Sequence, residues 1–561
     1  MTAQGNRSSQ KENAVSHHIF LFPFKWDCRT NIAAPNLSSF DDCTNLEEFE
    51  RLLLTNNQWR RKFYSLGADI SKIGSNYSEY VYFYDFVRRT IYDIENSEDE
   101  PIRYFEYTIG EDANYTIMAN RWNKETELTE EDTYKLDLSA ICAHAFDTGV
   151  GVLSFHLTNY KYKEPEKILR INEYGRRIYP QFLANNDLLT ATKSTFLANS
   201  ICVDVNDGSP IIVSDFNVYT DPAKIWPQVF HLPEHIKFLF PDCFTETNYQ
   251  NYRPFSECVH IRPVMDDRMF TICWYGNNEL ANELKLYNEN KQEYTYERHT
   301  FWYAFLFGDK DSNYPTCQNR EMLYESIRKH TYGRWAEYST FFGVTRDTLM
   351  VLSNDISTLK REYAPPINEH VQSMYYQMVN LCLVQRASVL RFMDEINRIS
   401  RLEGSDNLFF DRINNLYKNY IEFNNRIYFR EITSQIQGIE IYDILQNEMR
   451  IEKEVIALKE QMSELNQYVE LLRQKEDAIK QKKIAEEQTI QAQQATKLSK
   501  IATKFLPATL VASALSLLAG QEYNFGYDWN ISEIIVLGLM LIILFLSFWF
   551  SDKILEKLNI K

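Results

Sequence analysis

The sequence predicts a mixed α/β (or α+β) domain, followed by long stalk helices with a coiled-coil pattern and by two C-terminal transmembrane helices. Three observations support this fold class. Short apolar and aromatic runs alternate with turn signals as far as residue 352. Beyond Pro365 and Pro366 these strand-like runs disappear and helical patterns take over. The most apolar segments lie at the C-terminal end, after Lys500.

These changes of pattern divide the chain into predicted regions. The regions are a disordered polar tail (1–17), a cytoplasmic α/β domain (18–352), a helical region (353–438), a stalk helix (439–504) and two transmembrane helices with a short outer loop (505–561). Within the α/β domain, strands are expected at 18–26, 200–205, 210–220 and 268–275. Helices are expected at 45–64 and 318–338, and then at 368–400 and 407–437.

The stalk helix carries a heptad pattern. Its apolar residues are spaced alternately four and three apart: Ile451, Val455, Leu458, Met462, Leu465, Val469 and Leu472. No proline or glycine interrupts the chain between Ile439 and Pro507. This predicts a rod on the order of 100 Å long that associates with copies of itself.

Composition excludes some functions. The 561 residues carry a net charge of −17, which argues against a nucleic-acid-binding protein because such proteins are usually basic. The nine cysteines include no C-x-x-C pair, so we expect reduced thiols rather than disulfides or a zinc site. Common phosphate-binding and hydrolase motifs are absent, and we expect no enzyme activity.

Two segments are apolar enough in sequence to predict membrane spans, 505–520 and 534–550. Lysines precede the first span and follow the second, whereas the loop between the spans has neither lysine nor arginine. The positive-inside rule then places both termini in the cytoplasm of a bacterial cell, with the spans in the inner membrane.

A stripe of small and hydroxylated residues follows the first span at alternating spacings of three and four. Its members are Ala492, Ala495, Ser499, Ala502, Leu506, Thr509, Ser513, Ser516 and Gly520. Such a stripe mediates close packing of membrane helices or, when several copies surround an axis, lines a pore. The pattern favours the pore, because it continues from a helix that is already predicted to form oligomers.

The run "IATKFLPATLVA" (501–512) resembles the start of the pore helix in the CorA family of divalent-cation channels. The resemblance implies a homopentamer whose first transmembrane helix lines the pore and whose permeant ion is Mg²⁺ or another divalent cation. The implied pore-lining residues are Ala495, Leu498, Ala502, Leu506, Thr509, Ser513 and Ser516. The family's Gly-Met-Asn signature is missing, which leaves Glu522, Asn524 and Asp528 as the oxygen ligands expected at the outer mouth.

The overall layout and the segment 316–349 also resemble the CorA-like membrane effectors of type III CRISPR systems. That resemblance implies antiviral defence and a nucleotide second messenger, such as a conjugate of S-adenosylmethionine with AMP (SAM–AMP). An anionic ligand in an acidic protein needs local arginines. The candidates are Arg262, Arg268, Arg328, Arg334 and Arg346.

Three hypotheses therefore follow from the sequence. The first is a CorA-like channel gated by a cytoplasmic nucleotide, and the second is a constitutive Mg²⁺ or divalent-metal transporter. The third is a membrane-tethered coiled-coil scaffold without a pore. None of them involves direct binding of nucleic acid.

Overall fold

The structure is a computed structural model, and it describes most of the chain. The described residues are 13–29, 44–65, 67, 70–95, 100–123, 128–178, 197–217, 232–245, 258–264, 267–355, 367–400, 407–519 and scattered positions between 535 and 553. The chain divides into two compact units, Met1–Ser463 and Glu464–Lys561.

One large sheet runs through the first unit. Its strands are β1 (Ser16–Arg29), β2 (Trp59–Arg61), β3 (Ile102–Tyr107), β4 (Asn114–Asn123), β5 (Leu128–Phe146), β6 (Val150–Asn159), β7 (Ser200–Asp204), β8 (Ile212–Asp215), β9 (Phe244–Thr245), β10 (Cys258–Pro263), β11 (Phe270–Gly276), β14 (Thr331–Tyr332), β15 (Phe341–Val344) and β16 (Thr348–Ser353). A separate hairpin consists of β12 (Tyr287–Asn288) and β13 (Glu293–Tyr294).

The main path of the sheet has the order β14-β15-β16-β11-β1-β6-β5-β4-β7-β8. Strand β1 lies at its centre and pairs with β6 on one side; on the other side it pairs with β11 and then with β10. Most pairs are antiparallel, but β11 runs parallel to β16 and β9 runs parallel to β10. The expected α/β character of this part of the chain is therefore confirmed.

The described helices are distributed around this sheet and continue beyond it. They are α1 (Leu46–Leu53), α2 (Ile70–Tyr82), α3 (Asp85–Ile91), α4 (Pro165–Gly175), α5 (Glu234–Lys237), α6 (Asn278–Leu284), α7 (Thr300–Phe307), α8 (Arg320–His330), α9 (Ile367–Gln372), α10 (Met374–Ile399), α11 (Asn407–Arg426), α12 (Ile436–Glu448) and α13 (Ile451–Ala519).

Helices cover both faces of β1. Phe20 belongs to the main core and lies under α4, since a Cβ added at Gly175 would come within 2.7 Å of the Phe20 ring. The opposite face is covered by α10, whose Tyr376 hydroxyl lies 2.9 Å from Ser154 of β6. Because both faces are buried, β1 is an almost continuous apolar run, as expected for a covered central strand.

Several predicted helices have different ends in the structure. The helix predicted at 45–64 stops at Leu53, and Trp59–Arg61 instead forms β2, paired with β3. The sheet overrides local helical propensity there, because Trp59 is buried in the core. Between 367 and 399 the helix is broken at Ser373, and α12 passes through Gly438 rather than ending there.

The first part of the predicted heptad seam is buried inside the first unit. Ile451, Val455, Leu458 and Met462 are all covered by the chain's own residues. These positions therefore give no evidence for contacts between copies. Val469 is buried as well, whereas other large apolar side chains further along α13 are exposed, among them Ile479, Ile490 and Ile501.

The expected transmembrane helices are the main correction. Among the described residues, no helix combines the length and the apolar character needed to span a bilayer. In α13 only 505–519 follow the last charged residue, Lys504, and this stretch includes Thr509, Ser513 and Ser516, whereas a span needs about 20 predominantly apolar residues. The predicted transmembrane helices, and with them the predicted location in the inner membrane, are therefore wrong. Of the 17 residues of the second expected span, 534–550, six lie outside the described residues.

Candidate anion-binding site

A cavity of about 600 Å³ opens at one edge of the first unit, and we call it the arginine cavity. Its lining residues come from six places in the chain: the end of α4, the approach to β11, the end of α7 with the loop that follows it, the turn between β15 and β16, the end of α8 and the end of α12. They are Glu173, Arg176, Arg177, Arg268, Phe307, Asp309, Lys310, Tyr314, Thr316, His330, Thr345, Arg346, Asp347 and Glu448. Protein pockets for small ligands usually measure about 300–1,000 Å³.

Arg176 is the most deeply buried cation of the cavity, with 1% of its surface exposed. Its Nη2 atom donates to the Glu173 carboxylate at 2.9 Å and to the carbonyl oxygens of Phe307 at 3.2 Å and Gly308 at 3.1 Å. Its Nε and Nη1 atoms have no hydrogen-bond partner among the described residues. A buried guanidinium with two unused donors is unusual, because buried polar groups are nearly always paired. Burial lowers the pKa of Arg176, and Glu173 opposes this effect.

Backbone pairing between two segments fixes this cluster. Beyond α4 the chain runs beside the approach to β11: Ile178 N donates to Asp267 O at 2.8 Å, and Met269 N donates to Arg176 O at 2.7 Å. Arg177 forms a buried ion pair with Asp267 and a second with Glu173 at 2.5 Å. Burial alone would raise the pKa of Glu173, but Arg176 and Arg177 outweigh burial and hold that pKa below its usual range.

The loop after α7 forms the second wall. Helix α7 ends at Gly308, whose φ of +66° is left-handed and favours glycine. Asp309 then accepts hydrogen bonds from the backbone and the hydroxyl of Thr316, at 2.8 and 2.9 Å. Burial raises the pKa of Asp309 and lowers the pKa of Lys310. Both shifts show that this wall is partly shielded from water.

The third wall joins two helix ends. His330, the last residue of α8, has its Nε2 atom 3.0 Å from the Glu448 carboxylate, and Glu448 is the last residue of α12. The His330 ring also packs edge-on against Phe307, with 5.1 Å between the ring centroids. The cavity thus has an aromatic side chain close to its polar groups.

The arrangement suits recognition of an anion that carries a planar group. Five side chains of the lining are lysine or arginine and four are carboxylates, and Arg176 offers two donors without partners. Arginine presents its donors in a planar fork that matches carboxylate and phosphate oxygens. Phe307 and the exposed Tyr314 supply aromatic surface for stacking.

Two of the five arginines predicted from the sequence line this cavity. Arg268 contacts Asp267 through Nε at 3.1 Å, and Arg346 is exposed in the turn between β15 and β16. Among the described residues, Arg346 has no ion-pair partner.

The other three predicted arginines lie elsewhere. Arg262 belongs to β10 and lines a separate cavity of about 10 Å³, which has room for about one water molecule. Arg328 lies 4.0 Å from Glu297, and Arg334 pairs with Glu440 at 2.5 Å. The structure therefore does not bring these three into the arginine cavity.

Sequence reasoning missed the residues that contribute most to the cavity: Arg176, Arg177, Lys310, His330 and Glu448. One local signal was present, since "EYGRRIY" (173–179) places two adjacent arginines directly after the last residue of a helix. The participation of Glu448 had no such signal, because it is 118 positions from His330 in sequence.

The predicted pore-lining residues lie on α13. Ala495, Leu498, Ala502, Leu506, Thr509 and Ser513 are all exposed. The hydroxyls of Thr509 and Ser513 donate to the carbonyl oxygens of Leu506 and Thr509, at 2.9 and 2.6 Å. Since these hydroxyls are paired within their own helix, they do not by themselves require a polar surrounding. Nothing is described of the Ser516 side chain, and the outer-mouth residues Glu522, Asn524 and Asp528 lie outside the described residues.

No cluster of three or more potential metal-ligating side chains occurs in the part of the chain that the structure describes. Comparison with protein-family models, with curated proteins and with solved structures finds no match. The resemblance to the CorA family and to its CRISPR-associated members therefore stays a prediction from the sequence.

Proposed function

We propose that this chain is a ligand-responsive protein whose first unit binds a small nucleotide-type anion in the arginine cavity and whose long helix α13 associates with copies of itself. One observation carries the proposal: the buried Arg176 guanidinium lines a cavity of about 600 Å³ and has two nitrogen atoms without partners among the residues that the structure describes. An oxygen anion would pair these donors and remove the cost of leaving them unsatisfied.

Three further features favour a nucleotide over a simple anion. The cavity volume is that of a drug-sized ligand rather than an ion. Phe307 and Tyr314 offer surface on which a base could stack. The nearby carboxylates Asp309 and Asp347 can accept hydrogen bonds from amino groups of a base or an amino acid. The SAM–AMP messenger implied by the resemblance to the CRISPR-associated CorA-like effectors has phosphate, base and amino groups together.

Self-association rests on a repeat in the exposed part of α13. Tyr468, Ile479, Ile490 and Ile501 are large, exposed and spaced eleven residues apart. Eleven residues make three helical turns at 3.67 residues per turn, so these side chains lie along one face of the helix. A row of large apolar side chains of this kind fits a parallel bundle of identical chains, as the expected homo-oligomer requires. The subunit number of five is implied only by the resemblance.

Equilibrium binding to the full chain tests the ligand proposal. Isothermal titration would compare inorganic phosphate, pyrophosphate, AMP, ATP, S-adenosylmethionine and the SAM–AMP conjugate. Arg346→Ala removes an exposed cavity cation, so we expect the fold to persist and binding to weaken about tenfold or more. Arg334→Ala is the matched control, because its side chain pairs with Glu440 outside the cavity. Equal affinity for all three proteins, or no binding of any compound, would reject the site.

The ion-channel and cation-transport activities expected from the resemblance stay predictions from the sequence, as does the scaffold alternative. The same applies to the expected absence of enzyme activity and to the divalent cation as permeant ion. Ion flux measured with and without the nucleotide panel would test the first two.

A further inference from the structure

The junction between α12 and α13 contains two locally unfavourable features. Helix α12 ends at Glu448 and α13 begins at Ile451, so Met449 and Arg450 form the junction. Arg450 has a φ of +57°, a left-handed conformation that residues with a Cβ rarely adopt. Such strain persists only where the surrounding structure holds it in place.

Glu448 is the second unfavourable feature. A carboxylate at the C-terminal end of a helix faces the negative end of the helix dipole. Here the charge is compensated by α8, since Lys329 Nζ lies 2.9 Å and His330 Nε2 lies 3.0 Å from the Glu448 carboxylate. These two contacts attach the end of α12 to the wall of the arginine cavity.

Resting on the proposed function, we propose that an anion bound in the arginine cavity releases Glu448 from Lys329 and His330 and so loosens the α12–α13 junction. Both His330 and Glu448 line the cavity. An incoming phosphate can accept a hydrogen bond from His330 in place of Glu448, and it repels the Glu448 carboxylate. Once Glu448 is released, the contact that fixes the end of α12 is lost and Arg450 can leave its strained conformation.

We call this coupling between anion binding and the α12–α13 junction the relay. Hydrogen exchange of the full chain tests it, with pyrophosphate as the probe. Three amides form hydrogen bonds at the junction: Met449 N donates to Leu445 O at 2.9 Å, Arg450 N to Asn447 O at 3.1 Å and Glu454 N to Arg450 O at 3.0 Å. We expect saturating pyrophosphate to increase the exchange rate of these amides severalfold while amides of β1 stay unchanged. Binding with unchanged exchange at the junction would overturn the relay but leave the proposed function standing. Absence of binding by pyrophosphate and by every other compound of the panel would overturn both.

Two variants at Arg450 test the same relay through affinity. Glycine adopts a positive φ readily and is unfavourable in a helix, so Arg450→Gly favours the bent junction and should weaken pyrophosphate binding roughly fivefold. Arg450→Ala removes the same charge but keeps the strain, so its affinity should match that of the unmodified chain. Equal weakening in both variants would show an effect of charge alone and would overturn the relay.

A variant at Glu448 tests the competition directly. Glu448→Gln removes the carboxylate that competes with the anion for His330. Pyrophosphate should then bind severalfold more tightly, and exchange at the junction should already be fast without it. Weaker binding by Glu448→Gln would overturn the competition on which the relay depends.

Discussion

Gly308 leaves the space that the Arg176 guanidinium occupies. A Cβ atom added at Gly308 would lie 2.6 Å from Nη2 of Arg176, which is too close for unbonded atoms, and Gly308 also has a left-handed backbone. The end of α7 and the buried cation of the arginine cavity are therefore fitted to each other. This relationship provides a way to disturb the cavity without changing any charge.

Gly308→Ala should lower the free energy of unfolding by about 1–2 kcal/mol for the backbone alone and should also weaken anion binding, because Arg176 must move. The control is Gly208→Ala, whose φ is +91° and whose added Cβ would meet nothing within 4 Å. Urea unfolding and pyrophosphate titration of both variants would separate the two effects. If Gly208→Ala weakened binding as strongly, the contact with Arg176 would not be the cause.

Asp267→Asn should destabilise the first unit by about 3 kcal/mol, because Asp267 is fully buried and pairs with both Arg177 and Arg268. Removing one partner of a buried pair leaves the other charge without compensation. The matched control is Asp85→Asn, which breaks the exposed pair with Arg89 and should cost less than about 1 kcal/mol. Urea unfolding measures both, and similar losses in the two variants would contradict this account of Asp267.

Buried histidines should make the protein less stable in acid. Burial lowers the pKa of His235 to about 3, below its unfolded value of 6.5. The unfolded chain therefore binds the proton more readily, and the stability present above pH 6.5 is lost as the pH falls from 6.5 toward 3. Each such histidine contributes about 1 kcal/mol per pH unit within that window. Burial is also the largest cause that lowers the pKa values of His17, His144 and His156 to about 3.

His235→Asn tests this assignment. Urea unfolding at pH 7.5 and pH 5.5 should show a smaller loss of stability for the variant than for the unmodified chain. An unchanged difference between the two pH values would mean that His235 does not titrate between the folded and unfolded states.

Ile490→Lys should dissociate the proposed oligomer, because it places a charge in the exposed row of α13. Thr489→Lys adds the same charge on another face of the helix, about 100° around the axis, and should leave the oligomer intact. Analytical ultracentrifugation of the full chain measures both. A monomeric unmodified chain would contradict self-association, and equal dissociation by both variants would contradict the role of this row.

Much of the local structure was predictable from the sequence. The apolar run at 18–26 lies within β1, and the run at 268–275 largely coincides with β11, because continuous apolar residues in such short segments suit covered strands. The absence of proline and glycine beyond Gly438 predicted one helix from about Ile439, whereas the structure has two, α12 and α13, separated at Met449 and Arg450. The heptad pattern in its first part was real, but it reports burial inside the first unit rather than contact between chains. A heptad pattern alone does not show whether its apolar residues pack against the same chain or against another copy.

The candidate site was only partly predictable. Arg268 and Arg346 were candidates for anion binding because they are arginines in the predicted α/β domain. Nothing in the local sequence distinguished them from Arg262, Arg328 and Arg334. The pairing of the segment after α4 with the approach to β11 decides that Arg176 and Arg268 share a cavity. In the same way, only the packing of α8 against the end of α12 brings His330 to Glu448.

The sequence by itself determined the apolar runs that become strands, the largely helical character of the chain beyond Pro366 and the overall acidity, because these depend on residue type and short-range spacing. The tertiary structure alone decided which charges meet, since ion pairs between residues such as Arg177 and Asp267 depend on how distant segments pack. It also overturned the transmembrane prediction, because the continuous apolar length of a helix is set by where that helix begins and ends. Short-range patterns specify elements, whereas a binding site is a property of their arrangement.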